Sequence, residues 1–359
     1  VVGAAMFYTD LAQAIGEKVV HIFGTGENSL MLGLMLVGTA FSSVLSNTGT
    51  CACLMPVALG ICAASKKPAS RQLLPMAYAC GWGGIITLVG TPPNIIGSGA
   101  LTAAGLPGFS FFEFAWIGIP LSVAGILYML LIGKYLLPKA ELDADQEIEQ
   151  EIEATTHDKK KQVISGVILL ACVTVMALNL KFISLEMTAI IGALVCVLTG
   201  CLTEKQAYSS IDWVTIFLFA GMMPVSTAMD KTGAGKLIAN WAVGLMGGEP
   251  TPLIVTIVLF SISCFLTQFM SNTASAALLC PIGIAIAKQL NADPKAVVMA
   301  IAVAASCAFA TPVGTPPCTL VLGPGGYKFM DYVKCGTGLV LVCFVVSLIV
   351  IPMVWPFFP

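Results

Sequence analysis

Ser46-Asn47-Thr48 recurs as Ser271-Asn272-Thr273, and each copy is followed by Gly-Thr-Pro-Pro, at Gly90 to Pro93 and at Gly314 to Pro317. The triplet serine precedes the tetrapeptide glycine by 44 residues in the first copy and by 43 in the second. Ser, Asn and Thr at a chain reversal offer hydroxyls and a carboxamide that both donate and accept, which suits a small anion. Asn47 and Asn272 stand out, because one amide can turn its oxygen to a hard cation and its N–H groups to a carboxylate. Paired prolines lack N–H donors and push the preceding residue out of the helical region, which frees nearby carbonyls for a cation. Gly90 and Gly314 let the backbone approach closely, while Thr91 and Thr315 add hydroxyls. Ser42 and Thr267 lie one turn before the triplets, on the same helical face. A single Ser-Asn-Thr is as readily a helix N-cap, and a single Pro-Pro a loop. Two matched copies point instead to a duplicated binding element.

The segments that carry these residues are apolar. Hydrophobic residues make up 57% of the 359 and charged residues 10%, a composition that places the chain in a bilayer. Stretches long enough to span about 30 Å of hydrocarbon lie near 114–137, 163–180, 183–202, 211–229, 296–322 and 335–356. Two more, 30–64 and 252–290, are interrupted by the triplets and read as re-entrant hairpins, tolerated where protein or a wet cavity surrounds them. Formal net charge is −2 with no basic stripe, which argues against nucleic acid as a partner. The thirteen cysteines sit mostly in apolar sequence without a C-x-x-C spacing and read as small packing residues. The two histidines, His21 and His157, lie in polar stretches. Asp212, Glu113 and Glu186, near helix starts, read as N-caps in preference to proton relays, and Trp82 and Trp213 as packing or anchoring residues.

The polar run Glu141 to Lys161 separates two units. The chain is thus expected to divide into a first repeat at 1–138, a cytoplasmic linker at 139–162 and a second repeat at 163–359. Residues 41 to 50 align with 266 to 275 at an offset of 225, Pro56 falls on Pro281, and Thr9 falls near Thr232. By this alignment the first repeat lacks about 60 residues at its start, so the chain is expected to begin partway into the natural protein. Each unit holds a hairpin (30–64; 252–290), a helix broken at Gly-Thr-Pro-Pro (72–101; 296–322) and a closing span. An odd number of crossings per unit predicts halves of opposite orientation. Lys66, Lys67, Arg71, Lys134, Lys139, Lys159 to Lys161, Lys328 and Lys334 mark cytoplasmic segments by the positive-inside rule, so one hairpin enters from each face. The predicted fold class is an all-α polytopic membrane protein built as an inverted-repeat transporter.

Both triplets, both Gly-Thr-Pro-Pro segments and the Pro93-Asn94 extension make the chain resemble the divalent anion sodium symporter family, which includes the INDY-type dicarboxylate transporters. The resemblance covers essentially the whole chain. It implies an elevator transporter of the bacterial inner membrane, usually a homodimer, in which a body carrying both hairpins slides against a fixed scaffold. It implies one sodium among Ser42, Ser46, Asn47 and the backbone at Gly90, and a second among Thr267, Asn272 and the backbone at Met270 and Gly314. Substrate carboxylates would lie between Ser46, Asn47 and Thr48 on one side and Ser271, Asn272 and Thr273 on the other, with Thr91, Pro92, Thr315 and Pro316 lining the cavity. The second break reads Pro317-Cys318 where the first reads Pro93-Asn94, and some members carry inorganic anions such as sulfate.

Residues 30–65, 72–133, 252–287 and 296–327 contain no Lys or Arg. A dianion held there needs compensating charge, and a helix N-terminus supplies only about half a unit, so bound cations must supply the rest. This favours cation symport over exchange, and the resemblance makes the cation sodium and the expected substrate a C4 dicarboxylate such as succinate, malate or fumarate. An exchanger of the same fold, using dipoles and hydroxyls alone, is the alternative mechanism, and sulfate the alternative substrate. An enzyme would need a nucleophile with a base, or a metal set, and the apolar segments offer hydroxyls without them. A structural or receptor role is the remaining class.

Overall fold

The computed structural model describes residues 1–15, 18, 26–65, 67–138, 158–178, 183–211, 213–234, 237, 240–241, 244 and 251–356. His21, Lys139, most of the linker, His157 and Asp212 fall outside them. The described residues are helical, without strands. We number the helices α1 (Val2–Tyr8), α2 (Glu27–Ser42), α3 (Asn47–Ser65), α4 (Leu73–Gly83), α5 (Pro92–Ala103), α6 (Ala115–Tyr128, continued by a π turn over Met129–Gly133) and α7 (Lys159–Leu178). There follow α8 (Leu185–Leu198), α9 (Glu204–Ser209), α10 (Trp213–Thr232), α11 (Pro252–Leu266), α12 (Asn272–Gln289), α13 (Pro294–Ala305), α14 (Pro316–Leu322) and α15 (Phe329–Val354).

Among the described residues, three helices are long and apolar enough to cross a membrane: Ala115–Leu136, Lys159–Leu178 and Phe329–Val354. The apolar stretch 183–202 forms a shorter helix, α8, which ends where Gly200 takes a left-handed φ of +71°. The stretch 296–322 holds two helices, α13 and α14, separated by non-helical residues 306 to 315.

Helices α4 and α13 form the centre. Every residue of α4 is buried, as is α13 from Ala296 to Ala305, the pattern of helices surrounded on all sides. Small residues let neighbours approach closely. A Cβ on Gly83 would meet the Thr39 carbonyl oxygen at 2.6 Å, so α2 lies directly on α4, where Trp82 Nε1 donates to Thr39 Oγ1 at 2.8 Å. Packing between the halves is crossed: α3 lies against α14 and α12 against α5. Phe309, between α13 and α14, is packed edge-on against Tyr78 of α4, and its carbonyl accepts the Tyr78 hydroxyl at 2.9 Å. Tyr332 Oη donates to the Cys318 carbonyl at 2.7 Å, so carbonyls left free near the second break are satisfied from other elements.

One continuous core joins α2 to α6 with α11 to α15, whereas α1, α7 and α8 share a smaller one around Ala5, Ile168 and Cys196. A third cluster around Met6, Ala12 and Leu45 lies between α1 and the turn that joins α2 to α3. Basic residues begin both central helices. Arg71 pairs with Glu27 at 2.7 Å, and Lys295 pairs with Glu113 at 2.6 Å. Glu113 is thus more than a helix-start residue: its Oε1 also accepts Trp355 Nε1 at 3.0 Å, tying the start of α13 to the end of α15.

Candidate functional site

The first triplet opens α3. Ser46 is the cap, its Oγ accepting the Gly49 N–H at 3.1 Å, and Asn47 turns inward. The end of the Asn47 side chain meets three acceptors from separate parts of the chain. Oδ1 accepts the Ser42 hydroxyl at 2.6 Å; Nδ2 turned to the same place donates to Ser42 Oγ, to the Gly90 carbonyl at 3.1 Å and to the Cys80 carbonyl at 3.2 Å. A Cβ on Gly84 would meet this amide at 2.5 to 3.0 Å, so any larger residue there would displace it.

The second triplet builds the same group. Ser271 caps α12 by accepting the Ala274 N–H at 3.1 Å. Thr267 Oγ1 donates to Asn272 Oδ1 at 2.7 Å or to the Ala305 carbonyl at 2.6 Å. With Nδ2 inward, Asn272 donates to the carbonyls of Ala305 at 3.1 Å and Gly314 at 3.2 Å and to Thr267 Oγ1 at 2.7 Å. Met270 lies in the turn before the triplet with its N–H bonded to the Leu266 carbonyl, and the second carbonyl in the knot is that of Ala305.

Gly-Thr-Pro-Pro begins a helix in both halves. Thr91 and Thr315 are extended N-cap residues, and Pro92-Pro93 and Pro316-Pro317 occupy N1 and N2, where their missing N–H groups cost nothing. Thr91 and Thr315 are buried, while Ser46, Ser271 and Pro316 are exposed, and Thr48, Thr273 and Pro92 half-buried. The two groups adjoin through the crossed packing: Cys51, one turn into α3, donates its thiol to the Pro317 carbonyl at 3.7 Å. Because the serine caps use only an oxygen lone pair, each O–H stays able to donate to an anion.

Four residues of the site have no place in the sequence reading. Cys80 and Ala305 contribute only backbone carbonyls, which no side-chain type announces. Thr87 and Thr311 do carry a signal, since each stands three residues before the Gly of its Gly-Thr-Pro-Pro. Thr87 Oγ1 donates to the Ser43 carbonyl, and Thr311 Oγ1 to the Gln268 carbonyl at 2.6 Å, so each break is tied to its own tip.

With Nδ2 inward each amide satisfies these oxygens itself; with Oδ1 inward, hydroxyl, amide and two carbonyl oxygens converge with no carboxylate among them, a donor set of the kind that suits a hard monovalent cation. Thr50 Oγ1 and Ser275 Oγ, at matching positions one turn beyond the asparagines, are fully buried without a hydrogen-bond partner. Among the described residues, no cluster of three His, Cys, Asp or Glu could hold a metal ion.

The family model described as "CitMHS: Citrate transporter" matches residues 1–276 and 175–358. An uncharacterized transporter of Haemophilus influenzae is 34% identical over 370 residues, spanning 98% of this chain and 78% of the relative. The sodium-dependent dicarboxylate transporter SdcS of Staphylococcus saprophyticus is 25% identical over 395 residues, spanning 99% and 75%. Among solved structures, the crystal structure of the Alcanivorax borkumensis YdaH transporter superposes with a TM-score of 0.66 at 14% identity, covering 98% of this chain and 84% of that one, and so shares the fold. An all-helical fold, apolar spans and these matches agree with the resemblance in the motifs: the chain belongs to the citrate transporter family, in the divalent anion sodium symporter group, and is an integral membrane transporter, not an enzyme.

Proposed function

We propose that the protein is a sodium-coupled symporter of C4 dicarboxylates such as succinate, malate and fumarate. The observation that carries this reading is the pair of matched oxygen knots at Asn47 and Asn272, in segments without Lys or Arg. Helices α3 and α12 present their N-termini beside the triplets, each worth about half a positive charge. Together they leave a dianion about one charge short, and bound sodium supplies the remainder. The prolines at N1 and N2 remove donors from α5 and α14, so those ends shape the cavity while α3 and α12 hold the anion. Two separated hydroxyl and amide clusters match two separated carboxylates better than one tetrahedral ion. The name of SdcS, sodium-dependent dicarboxylate transporter, points the same way.

For alternating access we infer an elevator motion, with the family's homodimer as its frame. The continuous core of α2 to α6 and α11 to α15 makes the moving body, and α1, α7 and α8 part of the scaffold. The last helix, which its position in sequence would leave with the scaffold, packs against α6, α11 and α13 and travels with the carrier.

Uptake of labelled succinate into proteoliposomes, with sodium or choline outside, tests the function. Sodium-dependent uptake inhibited by fumarate and malate more than by sulfate is expected. Stronger inhibition by sulfate would move the protein to inorganic anions, and counterflow unaffected by sodium would make it an exchanger.

A further inference from the structure

The two breaks share one hydrogen bond to their tips, yet the side chains at the matched tip positions differ. Ser43 turns its hydroxyl back to the Ala40 carbonyl at 2.7 Å, within its own helix. Gln268 is 8% exposed and reaches across the second break. Its Nε2 donates to the carbonyls of Cys264 at 2.8 Å and Cys307 at 3.0 Å, and its Oε1 accepts the Ala310 N–H at 2.9 Å. With the Thr311 bond to its own carbonyl, one residue joins α11, the tip and the break. Thr311 Oγ1 in turn accepts the Gly314 N–H at 3.2 Å, which extends the tie to the glycine whose carbonyl faces Asn272. In the first half the corresponding clamp is Asn94, whose Nδ2 donates to Thr87 O at 2.8 Å and Gly84 O at 3.3 Å. Both acceptors lie in the break itself, so Asn94 leaves the tip out.

We propose that Gln268 is a positioning residue that holds the second cation knot assembled in advance, so that the first knot is the one that orders around its ion. The inference rests on the sodium reading above. An assembled site loses less freedom on binding, so the Asn272 site takes its cation independently of the substrate. The Asn47 site closes when cation and substrate are both present, which couples the two.

Hydrogen–deuterium exchange of the full chain in lipid nanodiscs reads this directly, using peptides over 41–50 and 266–275. In choline buffer the second tip exchanges roughly tenfold more slowly than the first, the size expected for a few extra net hydrogen bonds. Sodium slows the first tip by about threefold or more, and slows the second from its already lower rate. Gln268→Met, which keeps the volume and removes the polar bonds, brings the second tip to the rate and sodium response of the first. Equal exchange of the two wild-type tips in choline overturns the inference, and that comparison needs no variant to fold. A Gln268→Met protein whose second tip is unchanged overturns it too. If the tips exchange alike while uptake stays sodium-dependent, this inference alone falls. If sodium affects neither the tips nor uptake, the symport reading falls and the ordering argued here falls with it.

Discussion

Around Asn47 the converging carbonyls belong to Cys80 and Gly90, ten residues apart, with a 3-10 turn at Gly84–Ile86 between them. Around Asn272 they belong to Ala305 and Gly314, nine apart, and the chain between them forms no helical turn. The first break is held from behind by Asn94, the second from the tip by Gln268. Yet the distances from each amide to its two carbonyls agree within 0.1 Å between halves, at 3.1 and 3.2 Å. What is repeated is therefore the placement of a few oxygens, while the polar scaffolding that holds them has diverged. Equivalent knots with unequal supports are what a carrier needs if its two cations are to do different work.

The largest effect should come from the amides themselves. On the proposed reading, Asn47→Ala or Asn272→Ala removes a ligand to a charged ion, which is worth roughly 10- to 100-fold in the sodium concentration for half-maximal uptake. Unchanged sodium dependence in both variants would dissolve the comparison altogether. Gly84→Ala comes next, because its Cβ would displace the Asn47 amide. About a tenfold loss in sodium affinity is expected. Sodium-dependent exchange at 266–275 should not change, which separates the halves.

Asn94→Cys gives the first break the residue that the second carries at Cys318. It removes two hydrogen bonds from the loop behind Asn47, so sodium affinity in uptake should fall about three- to tenfold while the preference for succinate over sulfate stays. A changed anion preference would mean that Asn94 faces the substrate.

The smallest effect concerns the latch between α13 and α15. Burial alone would raise the Glu113 carboxyl, but hydrogen bonds from Lys295, Trp355 and the Ser110 N–H, with the Lys295 charge, hold it below the usual range. A lowered folded pKa contributes stability above the unfolded value near 4.3, and that contribution is lost as pH falls through the folded value. Glu113→Gln should therefore lower the thermal midpoint at pH 7, and the gap to wild type should narrow in strong acid. A gap that widens on acidification would reverse the sign of the argument.

The sequence is legible here wherever a residue type has one physical use. Two prolines after Gly-Thr mark a break in an apolar helix, and the repeated triplets mark a duplicated tip, so the knot side chains Ser42, Asn47, Thr267 and Asn272 stand out; that the triplet serines also cap α3 and α12 is seen only in the structure. The carbonyls of Cys80 and Ala305 do not, because a backbone oxygen carries no sequence mark and which one faces an amide depends on where two helices cross. Gln268 is hidden for another reason: it occurs once, and a search for repeats passes over what only one half possesses. Glu113 reads as a helix-start residue because its partner Lys295 lies far along the chain, and nothing local joins them.

Two cation sites working in one carrier should show directly in the sodium titration of initial succinate uptake in proteoliposomes. It should give sigmoidal activation with a Hill slope above one and approaching about two, and Asn272→Ala should reduce the slope toward one. Uptake that is independent of sodium, or that rises hyperbolically in the wild type, would contradict it.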